Sequence, residues 1–111
     1  MDFSKLDGLI PAVIQDAVTR EVLMVGFMNQ EAFDLTLASG YATFFSRGRG
    51  KLWTKGETSG NRLKVIEVLV DCDEDTLLLA VTPEGSGNAC HTGARSCFRA
   101  AGSAAIAGPS L

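Results

Sequence analysis

The chain has 111 residues, of which 46% are hydrophobic and 21% are charged, and its formal net charge is −3 at pH 7. This length and composition predict one globular domain with a modest hydrophobic core, at a size where association of two copies often adds burial. The acidic balance argues against a general nucleic-acid binder, so any contact with phosphate is expected to be local.

The amino-terminal segment predicts a cytoplasmic protein without membrane partners. Asp2 and Asp7 stand where a signal peptide would have a basic segment followed by an apolar one. No uninterrupted apolar run in the sequence approaches the length that a membrane-spanning helix requires.

The first half of the chain predicts a β-hairpin followed by a helix. Residues 12–17 and 22–27 are β-branched apolar runs on either side of a short polar segment, as in a hairpin. Asn29 is a typical N-cap residue and Gly40 a typical residue just beyond a helix, so a helix is expected over residues 30–38.

The remainder predicts further strands separated by a long loop. Residues 41–45 are strand-like, whereas residues 46–62 contain four glycines and are not expected to be regular throughout. Residues 63–70 and 76–81 are apolar runs that predict two strands joined by the acidic residues 71–75. The expected fold class is α+β, with mainly antiparallel strands and one clear helix.

Two kinds of potential metal ligand lie between positions 71 and 97. Soft thiolates and hard carboxylates favour different ions, so their mixture in one segment indicates metal chemistry. The thiols are Cys72, Cys90 and Cys97, and the carboxylates are Asp71, Asp73 and Asp75.

The three cysteines favour a shared zinc site. They are odd in number and too few for a disulfide scaffold, so they are expected to be reduced. Their spacing does not match a zinc finger, and free cysteines are often simply buried in cores. However, Cys72 is flanked by two aspartates and Cys90 is followed by His91, which are polar settings. Three protein ligands with an open fourth position are typical of catalytic zinc.

His91, the only histidine, has two possible roles. As a fourth ligand beside three cysteines it would close a structural zinc site. Adjacent residues bind one ion only with an awkward backbone, so a role as general acid or base on metal-bound water is favoured. Such a base would be useful because three thiolates donate much charge to zinc. Zinc with these ligands lowers the pKa of its bound water less than zinc with neutral ligands does.

The aspartates alternate along the sequence, so an extended backbone would direct all three to one side and Cys72 to the other. Oxygen ligands of this kind suit magnesium or calcium. An EF-hand is excluded because its sixth and twelfth positions would be Thr76 and Thr82. The alternative is a solvated acidic turn without any ion.

The segment from position 46 to 60 could bind phosphate through basic side chains and the backbone amides of its glycine-rich turns. It is not a Walker loop, because the required spacing is absent. Trp53 could stack on a base, although a core position is favoured. The candidate substrate-binding residues are Arg47, Arg49, Lys51, Trp53, Lys55 and Ser59.

Four segments together resemble the phosphoribosyl-AMP cyclohydrolases, over approximately residues 8–99. They are LMVGFMNQEAF from Leu23, SRGRGKLWTKGETSGN from Ser46, DCDEDTLLL from Asp71 and ACHTGARSCF from Ala89. The resemblance implies a stand-alone enzyme of histidine biosynthesis, a hydrolase that opens the adenine ring of its substrate at the N1–C6 bond. A domain over residues 1–99 and a flexible tail over residues 100–111 are expected.

The resemblance also implies cofactors and a partner. Zinc would be bound by the three cysteines, magnesium by the three aspartates, and two copies would form a homodimer with active sites between subunits. Water activated by zinc would attack C6, with His91 assisting the proton transfers. Two alternatives remain at this point: a zinc-stabilised binding or scaffold module without chemistry, and a nucleic-acid-binding domain.

Overall fold

The computed structural model describes residues 1–101, and within that range the chain forms one helix and six strands. No helix among these residues is long and apolar enough to cross a membrane. From position 102 onward the predicted flexible tail lies outside the described residues. The elements are β1 Ile10–Asp16, β2 Val22–Met28, α1 Gln30–Ser39, β3 Thr43–Ser46, β4 Lys51–Thr54, β5 Leu63–Val70 and β6 Leu77–Pro83.

The strands form a four-stranded sheet in the order β2-β1-β6-β5 and a separate two-stranded sheet of β3 and β4. The predicted hairpin is confirmed by the antiparallel pairing of β1 with β2, and the second predicted pair by that of β5 with β6. The central pair, β1 with β6, is parallel. The α+β class and the mainly antiparallel character are therefore confirmed, within a mixed sheet.

Strand β2 contains a bulge that becomes important for the site. Along β1 every second residue is buried, as expected for a strand with one face on the core. In β2 the register shifts, so that Ile14 lies opposite Met24 and Gln15 opposite Val22. Leu23 is the extra residue, and it is buried together with its neighbour Met24.

The helix begins and ends where the sequence predicts, with one more residue at its end. The Asn29 side-chain oxygen accepts a hydrogen bond from the amide of Ala32 at 2.8 Å. Gly40 has a φ of 80° and donates its amide to the Thr36 carbonyl at 2.9 Å. The buried Thr36 hydroxyl also accepts the amide of Thr43 at 3.0 Å, which fixes β3 against the helix.

The two sheets meet at a close approach between Gly26 of β2 and Phe44 of β3. Phe44 is fully buried, and its ring lies 5.0 Å from that of Trp53 between centroids. A Cβ at position 26 would lie 2.5 Å from the Phe44 ring. Gly26 does not have a positive φ, so its backbone conformation does not require glycine. The close contact with Phe44 does.

Replacing Gly26 by Ala should destabilise the fold by about 1–3 kcal/mol, because the buried Phe44 ring must leave its packed position. Urea unfolding of purified protein measures the difference. Gly48→Ala is the matched control, since a Cβ there meets no atom within 4 Å and its φ is not positive. Equal stability of the two variants would contradict the packing argument.

Candidate functional site

The segment 89–97 folds back on itself and carries two of the cysteines. The amide of Cys90 donates to the carbonyl of Ala94 at 3.1 Å, and the amide of Ala89 donates to the carbonyl of Arg95 at 3.0 Å. Gly93, with a φ of 90°, allows the reversal of direction. We refer to residues 89–97 as the thiol loop.

The end of the thiol loop is attached to the outer edge of β2. The amide of Cys97 donates to the carbonyl of Leu23 at 2.7 Å, and the Ser96 hydroxyl donates to the carbonyl of Val22 at 2.7 Å. Leu23 is the bulge residue, without a partner in the β1–β2 register. The irregularity of the strand thus supplies the attachment point for the loop.

An ion-pair network holds the thiol loop against the turn that follows β1. The Arg95 guanidinium contacts Asp16 Oδ2 at 2.5 Å and Glu21 Oε1 at 2.6 Å. Asp16 is 5% exposed, and its other oxygen accepts the amides of Val18 and Thr19. These two amides, with Arg95, lower the pKa of the Asp16 carboxyl.

The thiols of Cys90 and Cys97 are close enough for each to influence the pKa of the other, in opposite directions. The Thr92 hydroxyl donates to Cys90 Sγ at 3.1 Å and lowers the pKa of that thiol, with a smaller contribution from the Lys55 charge. Loss of hydration raises the pKa of the Cys97 thiol, and the neighbouring Cys90 raises it further. Cys90 therefore ionises before Cys97, and the thiolate is the form of cysteine that binds metal or acts as a nucleophile.

Cys72 does not join this pair within one chain. In the described part of the chain, a single group of at least three potential ligand side chains has donor atoms within 4.8 Å of one another, and it contains only aspartates. Cys97 lies at the β2 edge of the sheet, whereas Cys72 follows β5 at the opposite edge. Three strand spacings, roughly 14 Å, separate the two edges.

Asp71, Asp73 and Asp75 form the group just described. Residues 71–76 form a turn in which Glu74 has a φ of 60°, as expected for the segment that joins two strands, so the condition of an extended backbone is not met. Asp71 Oδ1 accepts the amides of Asp75 and Thr76, both at 3.1 Å. The turn, rather than strand alternation, brings the carboxylates together.

Lys5 supplies a positive charge to these carboxylates from 70 positions away. Its Nζ lies 3.0 Å from Asp75 Oδ2 and 3.7 Å from Asp73 Oδ2. The hydrogen bond from Lys5 lowers the pKa of Asp75, whereas interaction with Asp71 raises the pKa of Asp73. Sequence reasoning missed Lys5, because no local pattern connects it to the acidic turn.

The predicted substrate-binding residues lie in different surroundings. Arg47 is stacked over the Phe27 ring at 4.0 Å, and Lys51 is exposed. Lys55 is half-buried, and its positive charge helps to lower the pKa of Cys90 and partly offsets the raised pKa of Cys97. The other three, Arg49, Trp53 and Ser59, line one open cleft of about 250 Å³.

A larger groove of about 620 Å³ shares the segment 56–59 with the smaller cleft. Arg62 forms one wall of this groove, stacked over the Tyr41 ring at 4.2 Å. The Tyr41 hydroxyl donates to Glu84 at 3.1 Å. Trp53 lines the smaller cleft and also packs against the core residue Phe44.

Asn61 connects the cleft to the segment that leads into the thiol loop, and sequence reasoning missed it. Its side-chain oxygen accepts the amide of Ser86 at 2.9 Å. A Cβ on Gly85 would overlap that same oxygen, and a Cβ on Gly56 would overlap the Asn61 backbone. Both glycines also have positive φ. The glycines of these two segments could have indicated in the sequence that the segments pack closely together, because a close approach of backbones requires glycine.

Substituting Asp16 by Asn should destabilise the protein by about 1–3 kcal/mol at pH 7, because the Arg95 ion pair is lost. The folded-state pKa of Asp16 is lowered, so its contribution is present above the unfolded value of about 3.9 and disappears as pH falls through the folded value. Urea unfolding at pH 7 and pH 3 measures both differences. If the wild type and the variant differ in free energy of unfolding by the same amount at both pH values, the lowered pKa of Asp16 is contradicted.

Comparison with known proteins gives a consistent set of relatives. The family model described as phosphoribosyl-AMP cyclohydrolase matches residues 24–99. The chain is 60% identical over 98 residues to phosphoribosyl-AMP cyclohydrolase of Desulfatibacillum aliphaticivorans, covering 88% of this chain and 78% of that protein. The corresponding enzyme of Geobacter sulfurreducens is 57% identical with the same coverage.

Longer proteins also match. The histidine biosynthesis bifunctional protein HisIE of Bacteroides thetaiotaomicron is 55% identical over 98 residues. The match covers 88% of this chain and 47% of that protein. The chain therefore spans about half the length of the bifunctional relatives that it matches.

Proposed function

The chain belongs to the phosphoribosyl-AMP cyclohydrolase family, and from this we infer that it hydrolyses phosphoribosyl-AMP in histidine biosynthesis. We propose that the reaction is zinc-dependent and cleaves the N1–C6 bond of the adenine ring, giving an aminoimidazole carboxamide nucleotide. The observation that carries this proposal is the pair of adjacent thiols, with Thr92 and Lys55 favouring the thiolate of Cys90.

The thiol pair fits zinc in its donor chemistry. Thiolate sulfur is a ligand that zinc prefers, and Thr92 makes Cys90 easier to deprotonate. When bound, zinc would acidify a water molecule and polarise the atom under attack. His91 is exposed and directly follows Cys90, so its imidazole can accept a proton from the water and return it to N1. For the neutral 6-imino form of the ring, the water oxygen would end on C6 as the carboxamide oxygen, one water proton on N1 and the other on the exocyclic nitrogen, which stays on C6.

We propose that Cys72 of a second copy completes the zinc site. Within one chain Cys72 lies away from the thiol pair, so a third thiol must come from elsewhere. Strand β5, which leads to Cys72, is an edge strand and exposes Ile66, Leu69 and Val70. Such an exposed apolar edge suits pairing with another copy, which would support a homodimer with shared sites.

Mixing Cys72→Ser chains with Cys90→Ser chains tests this arrangement. A heterodimer would carry one site with both substitutions and one intact site, so an equal mixture should recover about a quarter of wild-type turnover. Each variant alone should be inactive and lack zinc. Absence of recovery after verified subunit exchange would mean that the zinc ligands come from one chain.

We propose that the aspartate group binds magnesium. Its oxygen atoms are hard ligands and lie within 4.8 Å of one another. Lys5 occupies one side of the group and offsets part of its charge, so a divalent cation would compete with this ammonium. Arg49 and Ser59 of the smaller cleft are proposed to contact phosphate, with Trp53 against the base.

The His91→Ala variant separates an enzyme from a zinc-stabilised scaffold. If His91 transfers protons, the variant should keep its zinc and lose about 10²–10⁴-fold in turnover. Zinc content by elemental analysis and ring opening by absorbance are measured on the same sample. Loss of zinc would identify His91 as a ligand, and full activity would disprove its catalytic role. A wild-type protein that binds zinc without turnover would favour the scaffold.

A further inference from the structure

Arg95 lies in the thiol loop between the two cysteines, yet its side chain leaves the loop and contacts the β1–β2 hairpin. We propose that Arg95 is a positioning residue that holds Cys90 and Cys97 in the arrangement needed to bind one metal ion. The metal part of this inference rests on the proposed function, whereas the positioning part rests on the chain alone.

The Arg95 side chain is held by one buried and one exposed carboxylate. Asp16 is nearly completely buried, and its two oxygens are divided between the turn amides and the guanidinium. Glu21, at the other end of the same turn, receives the Nε of Arg95 at 2.6 Å. Two carboxylates are thus joined by different nitrogens of one planar group, an arrangement that a lysine ammonium does not reproduce.

The backbone of Arg95 completes the connection to both cysteines. Its carbonyl accepts the amide of Ala89, the residue before Cys90. Two positions later, the amide of Cys97 is bonded to Leu23 of β2. Fixing the Arg95 side chain to the hairpin therefore fixes the beginning and the end of the thiol loop together.

The thiol loop depends on the Arg95 ion pairs because few other interactions stabilise it. Between positions 84 and 101 the structure contains neither helix nor strand, so regular backbone ladders do not stabilise this segment. The segment is mostly exposed, although Ala89 is buried in the core. Residues that orient metal ligands from outside the coordination sphere commonly change metal affinity strongly when they are removed.

The first experiment measures loop order without requiring metal or turnover. Amide hydrogen exchange is followed in wild-type, Arg95→Ala and Arg95→Lys proteins, as purified and after chelation. Exchange at Ala89 and Cys97 should be roughly three- to tenfold faster in Arg95→Ala and intermediate in Arg95→Lys, because lysine reaches one carboxylate only. Wild-type exchange rates in Arg95→Ala would overturn the proposal.

The second experiment measures zinc affinity by competition with a chromophoric chelator. Arg95→Ala should bind zinc about 10–100-fold more weakly, with partial recovery in Arg95→Lys. Arg99→Ala is the matched control, because Arg99 is exposed and makes no ion pair within residues 1–101. If Arg99→Ala weakens zinc binding equally, the effect reflects loop charge and the positioning role is wrong.

Glu21→Gln covers the case in which Arg95→Ala does not fold. It removes the charge of the exposed partner while Asp16 stays in place, and should change loop exchange in the same direction by a smaller factor. Unchanged exchange would overturn the proposal. If wild-type protein neither binds zinc nor opens the substrate ring, the proposed function fails, while the exchange rates still decide the role of Arg95.

Discussion

The attachment of the thiol loop to the edge of β2 is the interaction on which the site depends. The loop carries Cys90, His91 and Cys97 but has no regular structure of its own in the described residues. Its order comes from the hydrogen bond between Cys97 and the bulge residue Leu23, together with the Arg95 ion pairs. The β-bulge at Leu23 is thereby the point at which the loop that carries the two thiols is attached to the sheet.

Both candidate metal centres are linked to the rest of the fold by ion pairs between residues that are remote in sequence. Arg95 joins the loop to carboxylates 79 and 74 positions earlier, and Lys5 reaches the acidic turn from the amino terminus. Each contact closes a long loop of chain, so these ion pairs connect parts of the fold that no strand pairing joins directly. The two centres lie at opposite edges of the same sheet, which keeps the thiol pair and the carboxylates apart within one chain.

Local chemistry explains why much of the fold was predictable. Asn29 and Gly40 bound the helix because one side chain satisfies a free amide and the other residue adopts positive φ without strain. The β1–β2 and β5–β6 pairs join neighbours in sequence across short turns. The parallel pairing of β1 with β6 was not predictable, because it joins distant segments and depends on the whole core. The short strand β4 was hidden by the glycines around it.

The sequence by itself determined the helix caps, the β1–β2 and β5–β6 strand pairs and the family to which the chain is similar, since these depend on residue type and spacing. Tertiary structure alone decided which groups meet. It brought Cys90 and Cys97 close to Lys55, separated Cys72 from them, and placed Lys5 beside the aspartates of the acidic turn. The physical reason is that sheet order and long-range ion pairs set distances between side chains, and neither is encoded in any local pattern.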